Sequence, residues 1–143
     1  MDIRDKVYAV IDTNVLVSAL LSSNSDSSTV RVLKLIYEGP IVPLYNNEII
    51  EEYIDVLNRK KFSFNTKVVQ ALLDTIQLVG ISVGRTIVSG EIFPDPEDQV
   101  FYEVRMSMDD SYLVTGNIKH FPKKPFIVTP AKMIAILQEK NII

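Results

Sequence analysis

The chain contains no cysteine and only one histidine, His120. Without cysteine there is no disulfide, zinc–thiolate site, iron–sulfur cluster or thiol nucleophile. A lone histidine excludes a metal centre built from several imidazoles. Any bound metal would be held mostly by oxygens, the preference of magnesium and manganese. Positive charge is not in excess either: 15 Lys and Arg stand against 18 Asp and Glu, a formal net charge of −3. Bulk attraction for nucleic acid requires a basic chain. Two cases stay open: no nucleic-acid partner, or local basic patches masked by carboxylates with a task of their own. No apolar run approaches the roughly 18–20 residues of a membrane span. Arg4 and Lys6 precede an apolar stretch as in a signal peptide, but Asp12 and Asn14 interrupt it where a signal core is uniformly apolar. The expectation is a cytoplasmic protein with no membrane contact.

What is present suits one folded domain over residues 1–143, with 47% apolar and 23% charged residues. VYAVID at 7–12 is a short, partly β-branched apolar run, as a buried strand requires, and it ends on a carboxylate. A helix can begin in VLVSALLSS, and the serine-rich stretch 22–28 reads as a loop. Apolar spacing predicts a helix over 29–37, stopped by Gly39-Pro40, and IVPLY at 41–45 is a second strand. Asn46 or Asn47 caps a helix to about Arg59, a further helix covers 66–78, and ISVG at 81–84 is a third strand. Asp95-Pro96-Glu97-Asp98 has the form of a capping box opening a helix through Met106. SYLVT at 111–115 and FIV at 126–128 complete the strands, and Thr129-Pro130 starts a last helix ending near Lys140. Strands alternating with helices define an α/β class with a parallel sheet covered on both faces. In such sheets ligands sit at the carboxyl ends of the strands.

Four positions at strand ends carry chemistry. Asp12 closes the first strand, where an apolar neighbourhood is costly for a carboxylate unless it is solvated, paired or bound to a cation; capping of the following helix is the structural alternative. In the helix after the second strand, Glu48, Glu51, Glu52 and Asp55 share one face, and Ile49, Ile50, Tyr53, Ile54, Val56 and Leu57 the other. Glu52 lies about 40° from Val56 on a helical wheel, at the polar–apolar boundary, from which it can reach inward. The acids at 95–98 either start a helix or line a site at its N-terminus. After the fourth strand, Thr115 and Asn117 offer oxygens, and Lys119, His120, Lys123 and Lys124 form the local basic cluster that phosphate contacts need. A lone loop histidine is more often a surface residue than a catalyst. Carboxylates that converge without cationic partners repel one another unless a divalent ion neutralises them.

VIDTNVLVSALL, EIIEEYIDVL, PDPEDQVFYEV and SYLVTGNIKHFP together resemble the PIN domain, a magnesium- or manganese-dependent ribonuclease fold. The nearest likeness is to the bacterial branch described as toxin components of toxin–antitoxin systems. It runs from the first strand to the FIVTP before the last helix, and the first and last motifs carry most of it. The resemblance implies a single-domain, three-layer α/β/α sandwich around a mostly parallel five-stranded sheet. Asp12 matches the family's first acid, with Thr13 and Asn14 its usual neighbours; Glu52 matches the second and Asp98 the third. Asn117 stands where the fourth acid normally falls. An amide oxygen can ligate a metal but adds no charge and cannot act as a base, so weaker binding of a second metal, or low activity, follows. Asp95 is a reserve ligand.

The activity so implied is metal-assisted phosphodiester hydrolysis, with Asp12, Glu52, Asp98 and Asn117 as the catalytic, metal-holding set for Mg2+ or Mn2+. Asn14, Thr115, Lys119, His120 and Lys123 would contact single-stranded RNA, and Arg59-Lys60-Lys61 could also track its backbone. An antitoxin protein and a homodimer or higher homo-oligomer are the implied protein partners. A haloacid-dehalogenase-like phosphatase would need a second Asp where this chain has Asn14, and a response-regulator receiver would need an acceptor Asp where it has ISVGRT. The alternatives that persist are a PIN-like module that binds RNA or protein without cutting it, and an RNA-processing nuclease without an antitoxin.

Overall fold

The computed structural model describes residues 5–143; Arg4 lies outside the described residues. Among them five strands, β1 (Val7–Ile11), β2 (Ile41–Tyr45), β3 (Ile81–Ser82), β4 (Ser111–Val114) and β5 (Ile127–Val128), pair in the order β3-β2-β1-β4-β5. Every pairing is parallel. The sheet is therefore all-parallel rather than mostly so. Among the described residues six α-helices flank it: α1 (Thr13–Leu21), α2 (Ser28–Glu38), α3 (Asn47–Leu57), α4 (Thr66–Val79), α5 (Asp98–Met106) and α6 (Pro130–Glu139).

The chain builds the sheet outward from β1 in one direction to β2 and β3, then returns across it to β4 and β5. Right-handed crossovers in opposite directions place their helices on opposite faces. The strand order therefore reverses between β1 and β4, and the carboxyl ends of those two strands flank the switch point. Their burial explains the apolar runs: Ala9, Val10, Ile11, Leu44, Leu113 and Val114 are fully buried.

Local chemistry sets most helix ends. Ser27, Asn46, Asn65 and Thr129 each accept a backbone N–H of the first turn through the side chain, as N-caps do. Gly39 ends α2 at φ +113°, a conformation that a Cβ disfavours. Gly80 answers a different demand: a Cβ there would lie 2.5 Å from the carbonyl oxygens of Ile76 and Pro43. Only hydrogen lets α4 turn that closely over β2.

Three expectations are corrected. α5 begins at Asp98, not at Asp95, and Glu97 in the N-cap position makes no side-chain cap. Pro94 onward forms a turn instead, with Asp95 Oδ1 accepting from the Glu97 N–H at 3.1 Å and the Asp98 N–H donating to the Asp95 carbonyl at 3.0 Å. Asp95 thus caps its own turn, which competes with helix formation. β3 pairs over two residues rather than four, because the chain leaves the sheet edge after Val83 donates to the Tyr45 carbonyl. Ile54, assigned to the buried face of α3, is 45% exposed; the helix buries only Ile49, Tyr53 and Leu57. Among the described residues no helix is long and apolar enough to cross a membrane.

Candidate functional site

Asp12 follows β1 directly and occupies the N-cap position of α1, yet its side chain makes no cap bond. It is instead 6% exposed, and its Oδ2 accepts from the Thr115 hydroxyl at 2.7 Å and from Asn14 Nδ2 at 3.1 Å. Burial raises its pKa above the ordinary carboxylate value, opposed by the Thr115 hydrogen bond, a backbone bond from Thr13, the charge of His120 and the Asn14 bond.

Asn14 and Thr115 are braces of this acid. The Asn14 Oδ1 accepts from the Gly116 N–H at 3.1 Å, and Thr115 Oγ1 accepts from the Asn117 N–H at 2.9 Å. Each side chain ties the first acid to the turn after β4. Thr115 is 0% exposed, so the RNA contact expected of it is not available to its side chain. Asn117 is exposed and lines a shallow cavity of about 240 Å3 with Asn14, Val15, Ser18, Thr29 and Gly116.

Asp98, the first residue of α5, faces Asp12 across the switch point. Its pKa is pushed up to about 6 by burial first, then by the charges of Asp12 and Asp95, with His120 pulling the other way. His120 Nδ1 lies 3.6 Å from Asp98 Oδ2, just beyond hydrogen-bond reach, and that oxygen is buried without a hydrogen-bond partner. Asp95 is exposed beside it, one oxygen spent on its turn. Lys119 and Lys123 are exposed on the same segment as His120.

Glu52 stands in a different neighbourhood. Its pKa is raised to about 7, by burial first, then by the neighbouring Glu97 carboxyl and by Asp55; Arg59 opposes the shift. The two carboxyls lie in a cleft of about 310 Å3 lined also by Glu48, Glu51, Asp55, Arg85 and Val100. The acids therefore stand as two like-charged pairs, Asp12 with Asp98 and Glu52 with Glu97. Among the described residues no three Asp, Glu or His side chains converge as one ligand group. Carboxylates facing one another without a cation gain nothing by closer approach. One neighbour anchors the arrangement, the buried Tyr53 hydroxyl, which donates to the Ile11 carbonyl and fixes α3 against the end of β1.

Arg85 and Glu103, and the pairing of Glu97 with Glu52, escaped the sequence reading. Residues 83–97 have no helix or strand, and the loop is held by Glu103, which is 1% exposed. Its oxygens accept from Arg85 Nε at 2.6 Å, the Ser89 N–H at 2.6 Å and Gln99 Nε2 at 2.8 Å. Arg85 continues to Glu48 on α3 at 2.9 Å, and the Ser107 hydroxyl accepts from the Thr86 and Ile87 N–H groups. The signal was an acid inside the apolar run VFYEV, a position that burial permits only with partners.

The donor set suits a hard divalent cation. All candidate ligands are oxygens, two carboxylates are held close despite repulsion, and one buried carboxylate oxygen lacks a partner. A parallel α/β sheet with such acids at its switch point is a site for a small charged ligand or cation. The PIN domain family model matches residues 8–119, and the chain belongs to that family. PIN domains are generally metal-dependent nucleases. No curated protein and no solved structure matches the chain.

Proposed function

We propose that this PIN domain is an endoribonuclease dependent on Mg2+ or Mn2+, acting on single-stranded RNA as the toxin of a cytoplasmic toxin–antitoxin pair. The observation that carries the reading is the partnerless, buried Asp98 oxygen facing the buried Asp12 at the switch point. Asp12 and Asp98 would hold the ion, with Glu52 and Asn117 completing the set and Asp95 in reserve. A divalent ion bound there supplies activation of water and polarisation of the scissile phosphate.

The protein's own part is positional. Thr115 and Asn14 aim the Asp12 carboxylate. His120, exposed and 3.6 Å from Asp98, can meet a phosphate oxygen, and Lys119 and Lys123 add positive charge beside it. Water attacks phosphorus in line and the bond to the 3′ oxygen breaks. A 5′-phosphate and, after protonation of the leaving oxygen, a 3′-hydroxyl result. A homodimer or higher homo-oligomer belongs to the same reading.

The test is cleavage of mixed labelled single-stranded RNAs in manganese, magnesium and EDTA, by wild type and by Asp12→Asn. Metal-dependent cleavage that disappears in the variant supports the nuclease. A second reading, a PIN module that binds RNA or protein without cutting, is favoured by the pairing of Glu52 with Glu97 and by Asn117 in place of an acid. Equal inertness of both proteins with RNA still retained would establish it. Co-purification with the product of an adjacent small gene separates a toxin from a free-standing RNA-processing nuclease.

A further inference from the structure

α3 ends at Leu57, and the connection to α4 reads Asn58-Arg59-Lys60-Lys61-Phe62-Ser63-Phe64-Asn65. It is a built loop. The Phe62 N–H donates to the Arg59 carbonyl at 3.1 Å, and the Ser63 N–H and hydroxyl both donate to the Lys60 carbonyl, at 3.2 and 3.1 Å. Ser63 lies at φ +54°, and on either side of it the rings of Phe62 and Phe64 stack, centroids 5.3 Å apart and planes within 8° of parallel. Phe64 packs on the core, whereas Phe62 is outside it. The Lys61 ammonium sits 5.1 Å from the Phe62 ring centre. Arg59, Lys60 and Lys61 are exposed.

A partly buried ring at the loop surface, backed by a second ring and flanked by three consecutive cations, is the equipment that single-strand binders use, bases stacking while cations follow the phosphates. We propose that this loop is a stacking platform for an unpaired base of the RNA strand beside the scissile phosphate, with Lys60 and Lys61 on the adjoining phosphates. The proposal rests on the nuclease reading above and adds a binding subsite outside the acids.

Position supports it. From Glu52 the helix runs on to Leu57, about 7.5 Å along its axis, and Arg59 follows two residues past that end. Arg59 pairs with Asp55 at 3.1 Å, and its charge is felt at Glu52. The pair also offsets the acid that would otherwise repel a strand running from the cleft to the loop. A stacked base displaces the Lys61 ammonium from Phe62, since an exposed cation–π contact is the weaker of the two. The freed cation then lies beside the phosphate of that same nucleotide.

The test is fluorescence anisotropy in EDTA with labelled oligouridylate roughly 12 nucleotides long, within the site sizes of single-strand binders, and with its oligoadenylate duplex. Phe62→Ala is expected to weaken single-strand binding roughly five- to a hundredfold, leaving duplex binding and the melting temperature unchanged, and Phe62→Trp to restore it. Lys60→Ala with Lys61→Ala is expected to flatten the salt dependence by roughly 0.7 per lysine, and it decides the matter if Phe62→Ala melts early. In manganese, Phe62→Ala is expected to raise KM and leave kcat unchanged. Single-strand affinity of Phe62→Ala within twofold of wild type, equal loss on the duplex, or displacement of RNA by polyglutamate at equal charge would each overturn the platform. Wild-type retention of RNA that depends on Phe62, with no cleavage in manganese, removes the nuclease reading and leaves the platform standing. Failure of the wild type to retain RNA removes the platform, whatever the Asp12→Asn cleavage comparison gives.

Discussion

The Thr115 hydroxyl donates to the Asp12 carboxylate at 2.7 Å, joining residues that are 103 positions apart in the chain and follow neighbouring parallel strands. Thr115→Val keeps the shape and removes both the donor and the acceptor for the Asn117 N–H. A hydrogen bond to a buried acid is worth about 1–3 kcal/mol. The variant is expected to lose that much stability by urea denaturation and to cleave RNA more slowly at saturating metal. An unchanged midpoint would show that the bond does not position Asp12.

Asp12→Asn is expected to separate stability from function. Burial raises the Asp12 pKa, so keeping its carboxylate charged inside the fold costs stability. The asparagine removes that charge, and its oxygen can still accept from Thr115 and Asn14. In EDTA the variant should melt at or above the wild-type temperature. Manganese should raise the wild-type melting temperature, because a ligand that binds only the folded state stabilises it, and should leave the variant unmoved. Equal shifts in both would place the ion elsewhere.

The pH dependence of the metal-free protein carries a sign that the carboxylate pairs dictate. Glu52 and Asp98 have folded-state values of about 7 and about 6, above their ordinary 4.5 and 3.8. The folded state therefore binds protons that the unfolded chain does not. Stability from these groups is fully present below the ordinary values and is lost as pH rises through 6 and 7. Urea midpoints in EDTA should increase from pH 8 to pH 5.5. Manganese should flatten or reverse the slope, since the ion competes with those protons. Midpoints that fall on acidification in EDTA would mean that the two pairs are not held together in solution.

Most of the sheet was legible because β1, β2, β4 and β5 are largely buried and so read as short apolar runs, from VYAVI to SYLV, whereas the edge strand β3 is exposed. The caps at Asn46 and Thr129 were legible because a side-chain oxygen acts over three residues. Asp12 and Asp98 were legible as acids at strand and helix ends, where an α/β sheet leaves its crevice. Glu97 as the partner of Glu52 was not, because that pairing depends on a 15-residue segment, 83–97, whose path no local pattern sets. Asp95 misleads for a local reason: its sequence fits a capping box, but its side chain accepts from the Glu97 N–H and closes a turn instead. Thr115 was seen as a surface oxygen because its neighbours Gly116 and Asn117 are polar, whereas the register of β4 on β1 turns it inward.

Glu103 is the test of whether that loop serves the site. Its buried carboxylate holds Arg85, the Ser89 N–H and Gln99, and through Arg85 reaches Glu48 on α3. These partners keep its pKa below the ordinary value against the effect of burial, which alone would raise it. Its stabilisation is therefore present above the ordinary glutamate value and lost as pH falls through its lowered one, opposite in sign to Glu52 and Asp98. Removing one member of a buried pair costs about 3–5 kcal/mol, and the partial exposure of Arg85 places Glu103→Ala near the lower end. Glu103→Gln keeps the volume and an acceptor for the Ser89 N–H and is expected to lose about half as much. Both should speed tryptic cleavage after Arg85. Glu103→Ala should also lower the pH at which Glu52 titrates, because a released loop withdraws Glu97 from it. A variant that melts early while its Arg85 site stays protected would detach Glu103 from the loop and leave it a purely core contact.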